Sequence, residues 1–110
     1  MQASDILSLS PDILRCAVLD DAGRILSKAE SESGRNANLP SHILVTVKAL
    51  TIQGLADGLP KELGKVKYTM VVSDRYRLLT MVLKGRTVMF ALPLCADPAP
   101  ICEAALKRFG

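Results

Sequence analysis

The chain has 110 residues, the size of one domain, and no linker divides it, so we expect a single domain over residues 1–110. Hydrophobic residues make up 49% of the chain and charged residues 23%, a composition that is globular and excludes a disordered protein. The net charge is only +3, and the basic residues are scattered along the chain, as is typical of an ordinary solvated surface. We therefore expect no nucleic-acid partner.

The sequence also predicts the cellular location of the protein. No stretch approaches the roughly 18 apolar residues that a membrane span needs. Met1 is not followed by an apolar leader, and the odd number of cysteines, three, argues against a secreted disulfide scaffold. These observations predict a cytoplasmic protein with no membrane span.

The first third of the chain predicts a short helix and a β-hairpin. The helix is expected over residues 3–9. Residues 13–20 form a nearly continuous apolar run, which is typical of a strand buried on both faces. A turn at residues 21–23, with a glycine available for positive φ, leads into a returning strand over residues 24–31. Residues 31–38 are polar and are expected to form a loop.

Residues 40–58 are predicted to form a long helix with two apolar bands. The larger band consists of Ile43, Leu44, Val47, Leu50 and Leu55, and the smaller one of Val45, Ala49, Ile52 and Ala56. A surface helix normally has one apolar stripe. We therefore expect this helix to cover a sheet with one band and to meet a second surface, most simply a partner subunit, with the other. The alternative is a central helix that is buried within one small domain.

The second half of the chain predicts an antiparallel meander and a last helix. Strands are expected over residues 66–73, 76–83 and 87–94, joined by turns at Asp74–Arg75 and at residues 84–86. The last helix is predicted to begin with Asp97 as its N-cap and Pro98 at its first position, and its last turn is basic.

The element order is therefore α-β-β-α-β-β-β-α. It predicts an α+β fold with one five-stranded antiparallel sheet, which the long helix covers on one face and the terminal helices on the other.

Two stretches carry a resemblance that spans nearly the whole chain. The first is the hairpin VLDDAGRIL at residues 18–26, and the second is YRLLTMVLKGRTVMFAL at residues 76–92. With the element order, they resemble the roadblock/dynein light chain family, whose longin-like domains are related to profilin-like α/β/α domains. The resemblance implies the strand order 2-1-5-4-3. It also implies homodimers or heterodimers that are joined through the long helix and the third strand.

The resemblance further implies how the chain meets its partners. The predicted dimer interface consists of Val45, Lys48, Ala49, Ile52, Ala56, Val66, Tyr68 and Met70. Members of this family act as non-enzymatic scaffolds and regulators of small Ras-like GTPases. The implied partners are thus a second copy of the chain or a paralogous roadblock-like subunit, together with a small GTPase. The predicted contacts with such a partner are Arg75, Arg77, Lys84 and Arg86.

The histidine and the cysteines of the sequence do not indicate an enzyme. His42 is the only histidine and has no companions for a metal site. Cys95 and Cys102 are not at a zinc-knuckle spacing, and Cys16 lies in a predicted buried strand. Cys102 lies near the start of the last helix, where a lowered thiol pKa is expected. We expect no catalytic residue, no metal and no cofactor.

Two other classes of function stay open at this point. One is a profilin/PAS-like sensor that holds a small molecule between the sheet and the long helix, which would need an internal pocket with convergent polar groups. The other is a weak nucleic-acid binder that uses the same four cations as the predicted partner contacts.

Overall fold

The computed structural model describes residues 1–37, 54–55 and 58–110. Its helices in that part of the chain are α1 (Ala3–Leu7), α2 (Glu32–Asn36) and α3 (Pro98–Phe109), with one 3-10 turn at Lys61–Leu63. Its strands are β1 (Arg15–Leu19), β2 (Ile25–Glu30), β3 (Thr69–Val72), β4 (Tyr76–Leu83) and β5 (Arg86–Pro93). Most of the helix predicted at residues 40–58 lies outside the described residues; Gly54 and Leu55 are helical.

The five strands form one sheet in the order β2-β1-β5-β4-β3. Every neighbouring pair is antiparallel, β5 is the middle strand, and β1 lies between β2 and β5, with Cys16 opposite both Ala29 and Phe90. The predicted α+β fold class and the strand order that the resemblance implies are thus confirmed.

One face of the sheet is covered by the two terminal helices. Ile6 of α1 and Ile101 of α3 belong to the same buried cluster as Phe90 of β5. Other members of this cluster are Cys16, Val18, Leu79, Met81, Val88, Leu92, Cys102 and Ala105. The prediction that both terminal helices pack on one face is confirmed, and we call this the terminal-helix face.

The opposite face of the sheet is also buried at its centre. Ala17, Thr80 and Met89 lie on this face, because side chains alternate along each strand, and all three are buried. β1 is therefore buried on both faces, as its apolar run predicts. The expectation that residues 40–58 cover this face lies outside the described residues.

The hairpin turns have the backbone conformations that their sequences require. Gly23, in the β1–β2 turn, has a φ of 82°. The β4–β5 turn consists of Lys84 and Gly85, which have φ values of 50° and 75° and lie between the directly paired Leu83 and Arg86. Positive φ at both central residues matches the right-handed twist of the strands.

A short helix replaces the loop that was predicted after β2. Ser31 caps α2, because its Oγ accepts a hydrogen bond from the Gly34 N–H at 3.0 Å. The Ser31 N–H donates to the Leu14 carbonyl at 3.0 Å, which ties this helix to the start of β1. Because Gly34 has no side chain, the turn can pack directly against the Leu14 backbone. The sequence does not predict this contact, because the polar composition of residues 31–38 is typical of a loop.

The third strand is shorter than predicted, since it begins at Thr69 instead of residue 66. If the β3–β4 register continued toward the N-terminus, Lys65 would lie opposite Lys84. Like charges directly opposite each other destabilise strand pairing. This repulsion opposes an extension of β3 as far as residue 65. No helix in the described ranges is long and apolar enough to cross a membrane.

Candidate interaction surface

The edge of the sheet at β3 carries an exposed apolar strip. β3 is the last strand in the order, and it pairs with β4 on one side only within the described residues. Met70, Val71 and Val72 are 43%, 37% and 57% exposed. A free edge of this kind offers unpaired backbone groups together with apolar side chains to another strand.

The turn between β3 and β4 is held by one serine. Ser73 Oγ accepts a hydrogen bond from the Tyr76 N–H at 3.1 Å and donates to the Tyr76 carbonyl at 3.0 Å. The Ser73 N–H also donates to the same carbonyl at 2.9 Å. This local network fixes the antiparallel return, and it therefore fixes β3 at the edge of the sheet.

The structure places only part of the predicted dimer interface. Val45, Lys48, Ala49, Ile52 and Ala56 lie outside the described residues. Val66 and Tyr68 are half-buried, and Tyr68 packs against the core of the terminal-helix face. Met70 is exposed on β3. Leu55, a member of the larger predicted band, is 72% exposed, so this chain does not bury it.

The four cations predicted as partner contacts fall into two separate pairs. Arg75 is exposed in the β3–β4 turn and Arg77 lies beside it on β4, whereas Lys84 and Arg86 flank the β4–β5 turn. A strand rises about 3.3 Å per residue, so Arg75 and Lys84 are on the order of 30 Å apart. One small partner feature cannot contact both pairs at once.

Arg77 is the unusual member of the four. It lies on the terminal-helix face opposite Val72 and Leu92, and it is half-buried. Its Nε is shielded from solvent and has no hydrogen-bond partner among the described residues. An unsatisfied buried donor costs about 1–3 kcal/mol, so the Arg77 Nε lowers the stability of this part of the sheet.

A second surface brings together lysines that are far apart in the sequence. A groove of about 1140 Å³ lies where the segment before β3, the β4–β5 turn and the end of α3 meet. Its basic lining residues are Lys61, Lys65, Lys67, Lys84 and Lys107. We call this the lysine groove. The basic residues are scattered along the chain, as the sequence shows, and the fold brings five of them to one groove.

The lowered thiol pKa that was expected for Cys102 is also wrong. Burial raises the pKa of the Cys102 thiol to about 12, and the nearby Glu103 carboxylate adds to this effect. Burial likewise raises the pKa of Cys16 to about 12. Both thiols lie in the core of the terminal-helix face, where the loss of water outweighs the field of the helix N-terminus. Cys95 is exposed.

Comparison with known proteins gives matches at the level of structure. No family model matches the sequence, and no curated protein does. Among solved structures, a Roadblock/LC7 domain from Streptomyces avermitilis aligns with a TM-score of 0.64 at 16% identity, over 94% of this chain and 87% of that one. The gliding protein MglB from Thermus thermophilus aligns with a TM-score of 0.62 at 18% identity, over 96% and 83% of the two chains.

A third solved structure, an MglB with a tetrameric arrangement, also has a TM-score of 0.62 and 18% identity, over 96% of this chain and 82% of that one. These alignments cover nearly the whole chain, so the likeness is to complete domains and not to a shared fragment. At this level of identity they establish the fold alone. The protein thus has the fold of the Roadblock/LC7 domains and of the MglB proteins.

Proposed function

We propose that the protein is a non-enzymatic interaction module of the roadblock type that works as a dimer and binds or regulates a small Ras-like GTPase. The single observation that carries the proposal is the β3 edge. Three consecutive apolar side chains at a free edge are an aggregation risk in a monomer, and a second strand at this edge removes that risk.

The pairing that fits this edge is a second copy of the chain or a paralogous subunit. Antiparallel pairing of β3 with the β3 of a partner places the same surface on both sides of a two-fold axis. The side chain of Met70 then becomes an interface residue, as do Val66 and Tyr68. The predicted helix at residues 40–58 supplies the rest of the interface through its smaller apolar band. A tetrameric arrangement of one MglB supports self-association as a property that this fold can have.

The GTPase part of the proposal rests on the resemblance to the roadblock/dynein light chain family. Within it, Arg75 and Arg77 are the proposed contacts at the β3 end of β4. Arg75 is exposed and Arg77 is half-buried, and a guanidinium group at such a position can donate to a partner carboxylate or carbonyl. The scaffold is expected to position the GTPase, with the chemistry left to the GTPase itself.

The first test is the molar mass in solution, measured by light scattering over a dilution series at neutral pH. We expect a stable mass of about twice the 11.8 kDa of one chain. A mass of one chain at all concentrations would overturn the homodimer, and co-expression with a paralogous subunit would then decide whether a heterodimer replaces it.

The second test addresses the GTPase. Purified small Ras-like GTPases of the source organism, loaded with GDP or with a non-hydrolysable GTP analogue, are titrated against the immobilised protein. We expect one of them to bind with a preference for one nucleotide state, and Arg77→Lys to weaken that binding, because lysine retains the charge but not the planar guanidinium fork. Absence of binding across the set contradicts the GTPase assignment and leaves the dimer untouched.

A further inference from the structure

The lysine groove is built from three segments that the fold brings to one end of the sheet. Lys65 and Lys67 precede β3, Lys84 lies in the β4–β5 turn, and Lys107 lies in the last turn of α3. Gly64 has a φ of 81°, a conformation that lets the chain turn between Lys61 and Lys65. The arrangement is thus a consequence of tertiary structure and not of one basic run.

The charges in the groove are almost entirely of one sign. Five lysines line it, and Glu103 is the one acidic residue among its described lining residues. All five lysines are exposed. Cations that converge on a concave surface focus a positive potential there, and this potential attracts and orients an acidic ligand.

The floor of the groove is apolar. Leu59 and Val82 are exposed within it, and Leu106 and Val66 are half-buried. Val82 lies on the opposite face of the sheet, whereas Leu106 belongs to α3 on the terminal-helix face, so the groove runs across the edge of the sheet. An apolar centre with a charged rim is the anatomy of a protein-binding site.

The size and the backbone of the groove favour an extended chain as its occupant. Its volume of about 1140 Å³ exceeds the roughly 300–1,000 Å³ of a small-molecule pocket. β3 pairs with Arg77–Thr80 of β4 only, so residues 81–83 have no strand on that side within the described part of the chain. An extended peptide can bond to such a free edge while its alternate side chains point to opposite sides.

We propose that the lysine groove binds an acidic, extended peptide segment of a partner protein, in which acidic and apolar residues alternate. The apolar side chains of the segment contact Val82 and Leu106, and its carboxylates face the lysines. This inference goes beyond the dimer and GTPase proposal and does not depend on it. Of the groove residues, Val66 belongs to the predicted dimer interface and Lys84 to the predicted GTPase contacts, whereas Lys61, Lys65, Lys67 and Lys107 belong to neither.

The test is a fluorescence anisotropy titration of the full chain with a fluorescein-labelled peptide of about ten residues that alternates Glu with Val. The groove variant is Lys65→Glu with Lys107→Glu. Its control is Lys28→Glu with Arg75→Glu, which makes the same change in net charge at exposed positions outside the groove. Circular dichroism establishes that both variants fold.

We expect saturable binding by the parent chain, a loss of affinity of about tenfold or more in the groove variant, and a smaller loss in the control. A peptide with Ser in place of Val should bind several-fold more weakly, because the apolar floor then has no ligand. Equal losses in the two variants, or equal binding of the two peptides, would show a diffuse charge effect and overturn the proposal.

Two further probes separate the peptide from other anionic partners. Phosphatidylserine vesicles and an oligothymidylate are titrated under the same conditions. Binding of either one with the same dependence on Lys65 and Lys107, and none of the peptide, would assign the groove to a membrane or to nucleic acid and overturn the peptide proposal.

Discussion

The two edges of the sheet differ in how they meet solvent. The β2 edge has an exposed lysine, Lys28, a register irregularity opposite residues 18 and 19 of β1, and the helix α2 directly after its end. Charges, bulges and covering elements are the devices by which natural sheets prevent strands from adding to an edge. Among the described residues, β3 has none of these devices, because Thr69–Val72 carries no charge, bulge or Pro and no described helix follows its edge.

This difference shows that the exposure of apolar side chains does not by itself identify an interface. Leu26 on β2 is 51% exposed and Val72 on β3 is 57% exposed, so the two edges are alike in this respect. The distinction lies in the surroundings of each residue. We therefore interpret the β2 edge as one that remains free and the β3 edge as one that a partner covers.

The largest expected effect comes from placing the same charge on each edge. Val72→Lys should dissociate the dimer, because a lysine without a partner would be buried in the interface at a cost of about 3 kcal/mol, roughly a hundredfold in the dissociation constant. Leu26→Lys is the matched control, since its exposure is similar, and its mass by light scattering should stay that of a dimer. Dissociation of both variants, or of neither, would remove the distinction between the edges.

The second-largest expected effect concerns α2, the helix that follows β2. A methyl group at Gly34 would lie 1.8 Å from the Leu14 carbonyl oxygen, which is part of the backbone and cannot move aside. We expect Gly34→Ala to lower the free energy of unfolding by about 1–3 kcal/mol, although alanine normally favours a helix over glycine by up to about 1 kcal/mol.

Ser33→Ala on the exposed side of the same helix is the control for Gly34→Ala. It should unfold at nearly the parent urea concentration, and both variants should retain the dimer mass. A Gly34→Ala protein as stable as the parent would show that α2 is not held against β1 as described.

The sequence predicts the parts of this molecule that depend on local pattern. The capping of α3 by Asp97, whose carboxylate accepts a hydrogen bond from the Ala99 N–H at 3.1 Å, follows from residues that are adjacent in the chain. The β4–β5 turn is equally local. The strand order came from the family resemblance, since pattern alone does not specify which strands become neighbours.

What the sequence did not predict depends on contacts between distant residues. α2 packs against the start of β1 because Gly34 can approach Leu14, and the five lysines form one groove because three segments converge. The pKa of Cys102 has the same kind of cause: its position near the start of the helix predicts a lowered pKa, whereas its burial raises it. Rules that use only neighbouring residues in the sequence do not predict these contacts between distant residues.

The smallest expected effect concerns the turn that joins β1 to β2. Asp20 Oδ1 accepts hydrogen bonds from the N–H groups of Arg24 at 2.9 Å and Ala22 at 3.0 Å, and Oδ2 accepts one from Arg24 Nε at 3.1 Å. The hydrogen bond from the Arg24 backbone, followed by the charge of the guanidinium and the other hydrogen bonds, lowers the pKa of Asp20. The contribution of this group to stability is therefore present above the unfolded pKa of about 3.9 and is lost as the pH falls through the lower, folded pKa.

We expect Asp20→Asn to be slightly less stable than the parent at pH 7, because the amide oxygen still accepts from the backbone but the ion pair with Arg24 is lost. Urea unfolding between pH 7 and pH 2 should show the difference shrinking as Asp20 of the parent becomes protonated. Asp21→Asn, at an exposed position in the same turn, is the control. The dimer mass should be unchanged in both variants, because this turn belongs to the β2 side of the sheet. Parallel stability curves for the parent and Asp20→Asn would mean that the turn holds β2 through its backbone alone.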